Sequence, residues 1–183
     1  MIFAPFDTET TGLTQHPQAP LRKQPRIIEF AGILTDGDTI IDEVEFICNP
    51  GVIIEEIITK ITGLKNEDLA DKPPFSEFVP TVADFFKRAD VAIAHNLSFD
   101  QSLLRYDLQR IDQFLADIFF PQILCCTVEQ FFPMFGRRMK LEDLYQMYCG
   151  EFVQKHRALD DVRKLHQLCQ ETGVYDAFSA AAR

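Results

Sequence analysis

At 183 residues with 46% apolar side chains, the chain can bury a core in one compact domain and is too hydrophobic for a disordered tail protein. The opening run MIFAPF has no basic leader, no apolar stretch reaches membrane-spanning length, and the five cysteines form no CxxC pair. A soluble, cytoplasmic protein with reduced thiols is expected, with no membrane partner, no disulfide framework and no zinc site. The net charge of −10 argues against a broad nonspecific grip on long nucleic acid, so any such function must be local, metal-assisted or helped by a partner.

Strand-like apolar runs come first, at 2–7, 26–35 and 39–48, and the turn signal TDGD at 35–38 joins the last two as a hairpin. Phe78, Val82, Phe85 and Phe86 fall near helical spacing within a helix over 76–87, followed by a short buried strand, VAIAH, at 91–95. Helical patterns then cover about 99–114, 127–133, 140–148 and 157–171. Strands first and helices interleaved later predict an α/β domain with a mixed sheet. No repeat or Gly/Ser linker divides the chain, so residues 1–183 are expected to form a single domain. Pro5 conflicts with a central strand because it lacks an amide donor, and a bulge beside the site is expected to accommodate it.

The first chemical signal is FDTETTGL at 6–13, where a strand runs into Asp7-Thr8-Glu9. Residues two apart share a strand face, so both carboxylates project together and repel unless a cation joins them. The second is AHNLSFD at 94–100, a strand-to-helix junction. At about 100° per residue, Asp100 falls on the apolar face with Phe99, Leu103, Leu104 and Ile111. Asp107 falls on the same face, so helical phase does not choose between them, but Asp100 occupies the first turn after a strand, where sites in α/β sheets collect. It also fits a plain N-terminal helix acid favoured by the dipole. The third signal is HRALDD at 156–161: Asp161 shares the apolar face of its helix with Val162, Leu165 and Leu168, whereas Asp160 points away toward solvent. An acid on that face needs a cation, a proton or hydrogen bonds. His156 precedes this helix and titrates near neutral pH.

Read together, these acids form an all-oxygen set suited to Mg²⁺ or Mn²⁺. Two such ions about 4 Å apart support an in-line phosphoryl displacement, which is nuclease chemistry.

The three motifs, in this order, resemble those of the DEDD exonucleases in the histidine-containing DEDDh subgroup, which includes the proofreading 3′→5′ exonucleases of bacterial replicative polymerases. RIIEFAGI at 26–33, ITGLKNEDLADKPPF at 61–75 and KLEDLYQMY at 140–148 extend the likeness. The resemblance implies a ribonuclease H-like fold, a five-stranded mixed sheet flanked by helices. It implies Asp7, Glu9, Asp100 and Asp161 as ligands of two Mg²⁺ or Mn²⁺ ions, and His156 as general base. Thr10 and Leu13, with Thr8 as their companion, match positions near the 3′-terminal nucleotide, and Asn96 and Phe99 match second-motif neighbours of the substrate. Two positions depart from the pattern: Thr62 replaces a common histidine, which bears on substrate contact or packing, and Cys126 replaces a common aspartate before Thr127, which bears on a supporting contact.

The implied activity is metal-dependent removal of 5′-mononucleotides from DNA. An RNA-trimming exonuclease resembling ribonuclease T or oligoribonuclease would use the same metal site, and contacts to the 2′-OH would distinguish the two. A binding module tethering a DNA polymerase or other nucleic-acid enzyme is a third reading, although it has no need of a costly anionic cluster. The expected partners are single-stranded or frayed 3′ ends and a polymerase or other nucleic-acid enzyme. MFGRRMK at 134–140 is the best local basic run for phosphate, and such runs are as often solvated loops.

Overall fold

The computed structural model describes residues 1–112, 120–151 and 157–181. The apolar runs near the N-terminus become an antiparallel meander of β1 (Phe3–Thr10), β2 (Ile27–Thr35) and β3 (Ile40–Ile47). The predicted turn closes β2 onto β3: Thr35 Oγ1 donates to the Thr39 carbonyl at 2.8 Å, and Asp36 Oδ1 accepts the Thr39 amide at 2.8 Å. β4 (Val91–Ala94) and β5 (Ile123–Cys126) add in parallel on the other side of β1, giving the five-stranded mixed order β3-β2-β1-β4-β5.

Eight helices lie among the described residues: α1 (Glu56–Thr62), α2 (Asn66–Ala70), α3 (Phe75–Lys87), α4 (Leu97–Ile111), α5 (Thr127–Phe135), α6 (Leu141–Tyr148), α7 (Ala158–Glu171) and α8 (Val174–Ala181). The sequence reading missed β5, α1, α2 and α8. β5 is a four-residue apolar run leading straight into α5, too short to show a period. α1 and α2 span less than two turns, and α1 leaves Ile57 and Ile61 exposed, so neither has a buried stripe to read.

Pro5 is accommodated without a bulge of its own. The β1·β2 register is unshifted from Phe3 to Glu9, and the irregularity falls between Glu9 and Thr10. Pro5 is the last β1 residue paired with β4, opposite Ile93, so its missing donor sits at the end of that ladder.

Strand alternation sorts side chains onto two faces. Ala4, Phe6, Phe30 and Leu34 pack against α3 and α4 with Phe85, Phe86, Leu103 and Leu104. Each of the buried Phe and Leu side chains contributes about 1.5–3 kcal/mol of transfer free energy. Gly32 lets α3 approach: a Cβ there would stand 2.3 Å from the Phe85 ring. On the opposite face Phe3, Val91, Ile93, Ala31 and Ile33 meet Val162, Leu165 and Leu168 of α7. Asp7 and Glu9 have the parity of Phe3 and therefore face α7, whereas Thr8 has the parity of Phe6 and faces α4.

Candidate active site

This parity explains how the acids assemble. Asp7, Glu9 and Asp161 each offer one carboxylate oxygen, and these three oxygens lie within 4.8 Å of one another. Asp100 is not one of these three, but its charge acts on Asp7 and Glu9 from the α4 side of the sheet. It is buried at the start of α4, and its Oδ1 accepts both the Thr8 amide (3.1 Å) and the Thr8 hydroxyl (2.7 Å). Thr8 thus ties Asp100 to the strand that carries Asp7 and Glu9.

Asp107, which helical phase left as an equal, is also buried, but its oxygens are engaged elsewhere. Oδ2 accepts the Ile27 amide at 2.7 Å and Oδ1 pairs with Arg110. Asp160 is a correction: it is half-buried, with its charge acting on Arg157 and Arg163, and not simply solvated. Asp161 lies 3.5 Å from Lys164 Nζ. His156 lies outside the described residues.

Crowding leaves a clear electrostatic signature. Burial, followed by the charges of Asp100, Glu9 and Asp161, holds the Asp7 carboxyl well above its ordinary range. Burial and then Glu29 push Glu9 up to about 8, and burial pushes Asp100 up to about 7 against the opposing Thr8 hydrogen bond. Without a cation this environment favours the protonated carboxyls; a bound cation would favour the ionised, ligating form. Hard carboxylate oxygens this close fit a divalent ion such as Mg²⁺ or Mn²⁺.

Two clefts flank the acids. One, of about 730 Å³, is lined by Glu9, Thr10, Leu13, Phe99, Ile57 and Ile61 among others. Thr8 also lines it, with its hydroxyl committed to Asp100. Thr10 closes the turn, its hydroxyl donating to the Gly12 carbonyl at 2.6 Å, and Leu13 stands 79% exposed at the rim. The other cleft, of about 700 Å³, contains Asp7 and Asp161 together with Asn96, Arg138 and Lys140. Asn96 and Phe99, three residues apart in the second motif, therefore open onto different clefts.

Thr62 is 2% exposed and its hydroxyl donates to the Ile58 carbonyl at 3.0 Å, so this departure closes the end of α1. Cys126 ends β5 opposite Ala94, and the next residue, Thr127, contacts His95 Nδ1 through its hydroxyl at 2.9 Å. Sequence reasoning missed Glu29 and Arg157. Glu29 is fully buried opposite Glu9, and Arg157 grips both its oxygens at 2.8–3.1 Å. The available signal was a lone charge inside the apolar run IIEFAGIL, which needs a partner.

Residues 5–169 match the model of the RNase T exonuclease family, so the chain belongs to that family. The family is one of DEDD-type exonuclease domains, which implies dependence on a divalent metal. Among curated relatives it is 30% identical over 174 residues to DNA polymerase III subunit epsilon of Treponema pallidum, covering 92% of this chain and 74% of that one. It is 27% identical over 181 residues to the PolC-type DNA polymerase III of Caldanaerobacter subterraneus, covering 94% of this chain but spanning only 12% of that polymerase. Among solved structures, the E. coli ExoI–ssDNA complex superposes with a TM-score of 0.76 at 18% identity, over 94% of this chain and 40% of that one. The nuclease domain of 3′hExo, a DEDDh family member bound to rAMP, gives 0.71 at 15% identity, over 92% and 90%. These likenesses establish the ribonuclease H-like exonuclease fold. Among the described residues, no helix is long and apolar enough to cross a membrane.

Proposed function

We propose that this chain, acting as one domain, hydrolyses the terminal phosphodiester bond of DNA from the 3′ end and releases 5′-mononucleotides. In this reading Asp7, Glu9, Asp100 and Asp161 hold two Mg²⁺ or Mn²⁺ ions, and His156 is the general base. The observation that carries the reading is the convergence of Asp7, Glu9 and Asp161 within 4.8 Å at the junction of two clefts. Bound there, divalent ions supply charge stabilisation to the attacking and leaving oxygens of a phosphoryl transfer.

The remaining work belongs to the chain's own side chains. Thr8 orients Asp100 through its amide and hydroxyl. The cleft beside Glu9 has the volume of a small-ligand site and apolar walls at Leu13, Phe99, Ile57 and Ile61, which suit a nucleobase, while Thr10 shapes the turn beneath it. Asn96 borders the neighbouring cleft, on the path of the sugar-phosphate chain. His156, five residues before Asp161, accepts the proton of the attacking water.

The epsilon-subunit likeness supports DNA as substrate, a polymerase as partner and a cytoplasmic setting. A 5′-labelled single strand should shorten one nucleotide at a time, only with Mg²⁺ or Mn²⁺, and a matched RNA strand should react more slowly. Cutting of a circular single strand at a comparable rate would overturn the reading, and faster RNA trimming would reassign the substrate.

A further inference from the structure

We infer that the cleft shared by Asp7, Asp161, Asn96, Arg138 and Lys140 is the exit path of the substrate strand, where Arg138 and Lys140 bind backbone phosphates on the 5′ side of the scissile bond. This rests on the exonuclease reading and extends it to residues outside the three motifs. The chain carries a net charge of −10, yet this cleft, into which two of the acids open, has two exposed cations on its wall.

Among the described residues, no carboxylate is hydrogen-bonded to Arg138 or Lys140. Arg138 donates from Nη2 to the amide oxygen of Asn96 at 2.6 Å, a neutral acceptor that leaves the guanidinium charge uncompensated. Asn96 presents that oxygen from a left-handed conformation (φ 74°), the sole non-glycine residue with positive φ among those described. Such a conformation persists only where its surroundings hold it.

The loop bearing the cations is also fastened from behind. His95 meets the Met139 carbonyl through Nε2 at 3.1 Å and the Thr127 hydroxyl through Nδ1 at 2.9 Å. Burial holds the His95 pKa down to about 4, so the ring is neutral, with Nε2–H donating to Met139 and Nδ1 accepting from Thr127. Met139 is buried between Arg138 and Lys140, so the two flanking cations face outward from an anchored residue. Glu142 and Asp161 line the same cleft, Asp161 paired with Lys164, and among the described residues neither acid forms a salt bridge with Arg138.

The occupant follows from the asymmetry of the two clefts. The first cleft has cations of its own, Arg22, Lys23 and Arg26, but its apolar walls at Leu13, Phe99, Ile57 and Ile61 suit a base, whereas the second sets Arg138 and Lys140 beside Asp7 and Asp161 and suits the polyanionic chain leading to the base. The two meet at the acids, where the bond is cut.

The test uses Arg138→Gln and Lys140→Gln with Lys87→Gln as a control, since Lys87 lines neither cleft and its loss changes net charge equally. Steady-state hydrolysis of an octanucleotide is measured across 50–200 mM salt. Binding is read separately, by anisotropy of the labelled oligonucleotide in a Glu9→Gln background. Each cleft variant should raise KM and Kd roughly tenfold, the effect of one charged contact, and reduce the slope of log affinity against log salt by about 0.7. The inference fails if both variants keep the salt slope of Lys87→Gln, or if their defect lies in kcat with KM unchanged. A wild-type protein that binds no strand and degrades none would instead bring down the exonuclease reading, and this inference with it.

Discussion

Glu9 stands directly across from Glu29 in the antiparallel pairing of β1 and β2, on the sheet face that also carries Asp7. Two acids so placed repel, and Glu29 adds to the upward push on the Glu9 pKa. Arg157 offsets part of this with three hydrogen bonds to Glu29. It immediately precedes α7, so one ion pair joins the strand opposite Glu9 to the helix that carries Asp161.

Arg157→Met should therefore destabilise the protein by about 2–4 kcal/mol, the range for an orphaned buried charge reduced because Arg157 keeps 39% exposure. Glu29→Gln combined with Arg157→Met should recover most of that loss in denaturant melts. Equal losses for the single and double variants would show that packing, and not the stranded charge, sets the effect.

Asp7→Ala, Glu9→Ala, Asp100→Ala and Asp161→Ala should each nearly abolish hydrolysis while leaving a folded protein, because each removes charge stabilisation at the reacting phosphate. Asp160→Ala should retain activity, since Asp160 acts on Arg157 and Arg163. An inactive Asp160→Ala alongside an active Asp161→Ala would reverse the assignment.

Thr8→Val removes the hydroxyl that meets Asp100 Oδ1 at 2.7 Å. Loss of a hydrogen bond to a ligand carboxylate typically costs about 10–100-fold in metal affinity or activity. Titration with Mn²⁺ should give a higher half-saturating concentration than for the parent protein. An unchanged Mn²⁺ requirement would mean that Asp100 is oriented by other means.

The raised carboxyls fix the sign of the pH dependence of the metal-free protein. Between the ordinary glutamate range and about 8, Glu9 is protonated when folded and ionised when unfolded, so the folded state binds more protons. Stability must then fall as pH rises through that window, by up to about 1.4 kcal/mol per pH unit for each fully titrating group. Thermal melts in chelator should drop between pH 5 and pH 8, Mn²⁺ should restore the loss at pH 8, and Glu9→Gln should flatten the slope. A melt that rises with pH in chelator would contradict this.

His156→Ala should lose roughly 10²–10⁴ in rate with metal and substrate binding largely kept, the usual effect of removing a positioned base. Turnover of the parent should fall on the acid side, where protonated His156 cannot accept a proton. Wild-type turnover in the variant, with an unchanged acid limb, would assign the base elsewhere.

Local periodicity alone placed Asp7 and Glu9 on one strand face and Asp161 on the inner face of α7, because both rest on intra-element repeats of 2 and 3.6 residues. The same rules foretold the β2–β3 hairpin and most long helices. They could not separate Asp100 from Asp107, which are both buried on α4. Only the fold shows that Thr8 meets one and the Ile27 amide meets the other. Nor could they find Glu29, whose role depends on strand register and on an arginine 128 positions away. The basic loop at 137–140 reads as an ordinary solvated run until His95 and Asn96 fix it beside the acids. Periodicity is a property of one element's backbone, whereas register, the bonding of Asp100 to Thr8 and the placement of Arg138 arise from contacts between elements, which no local repeat encodes.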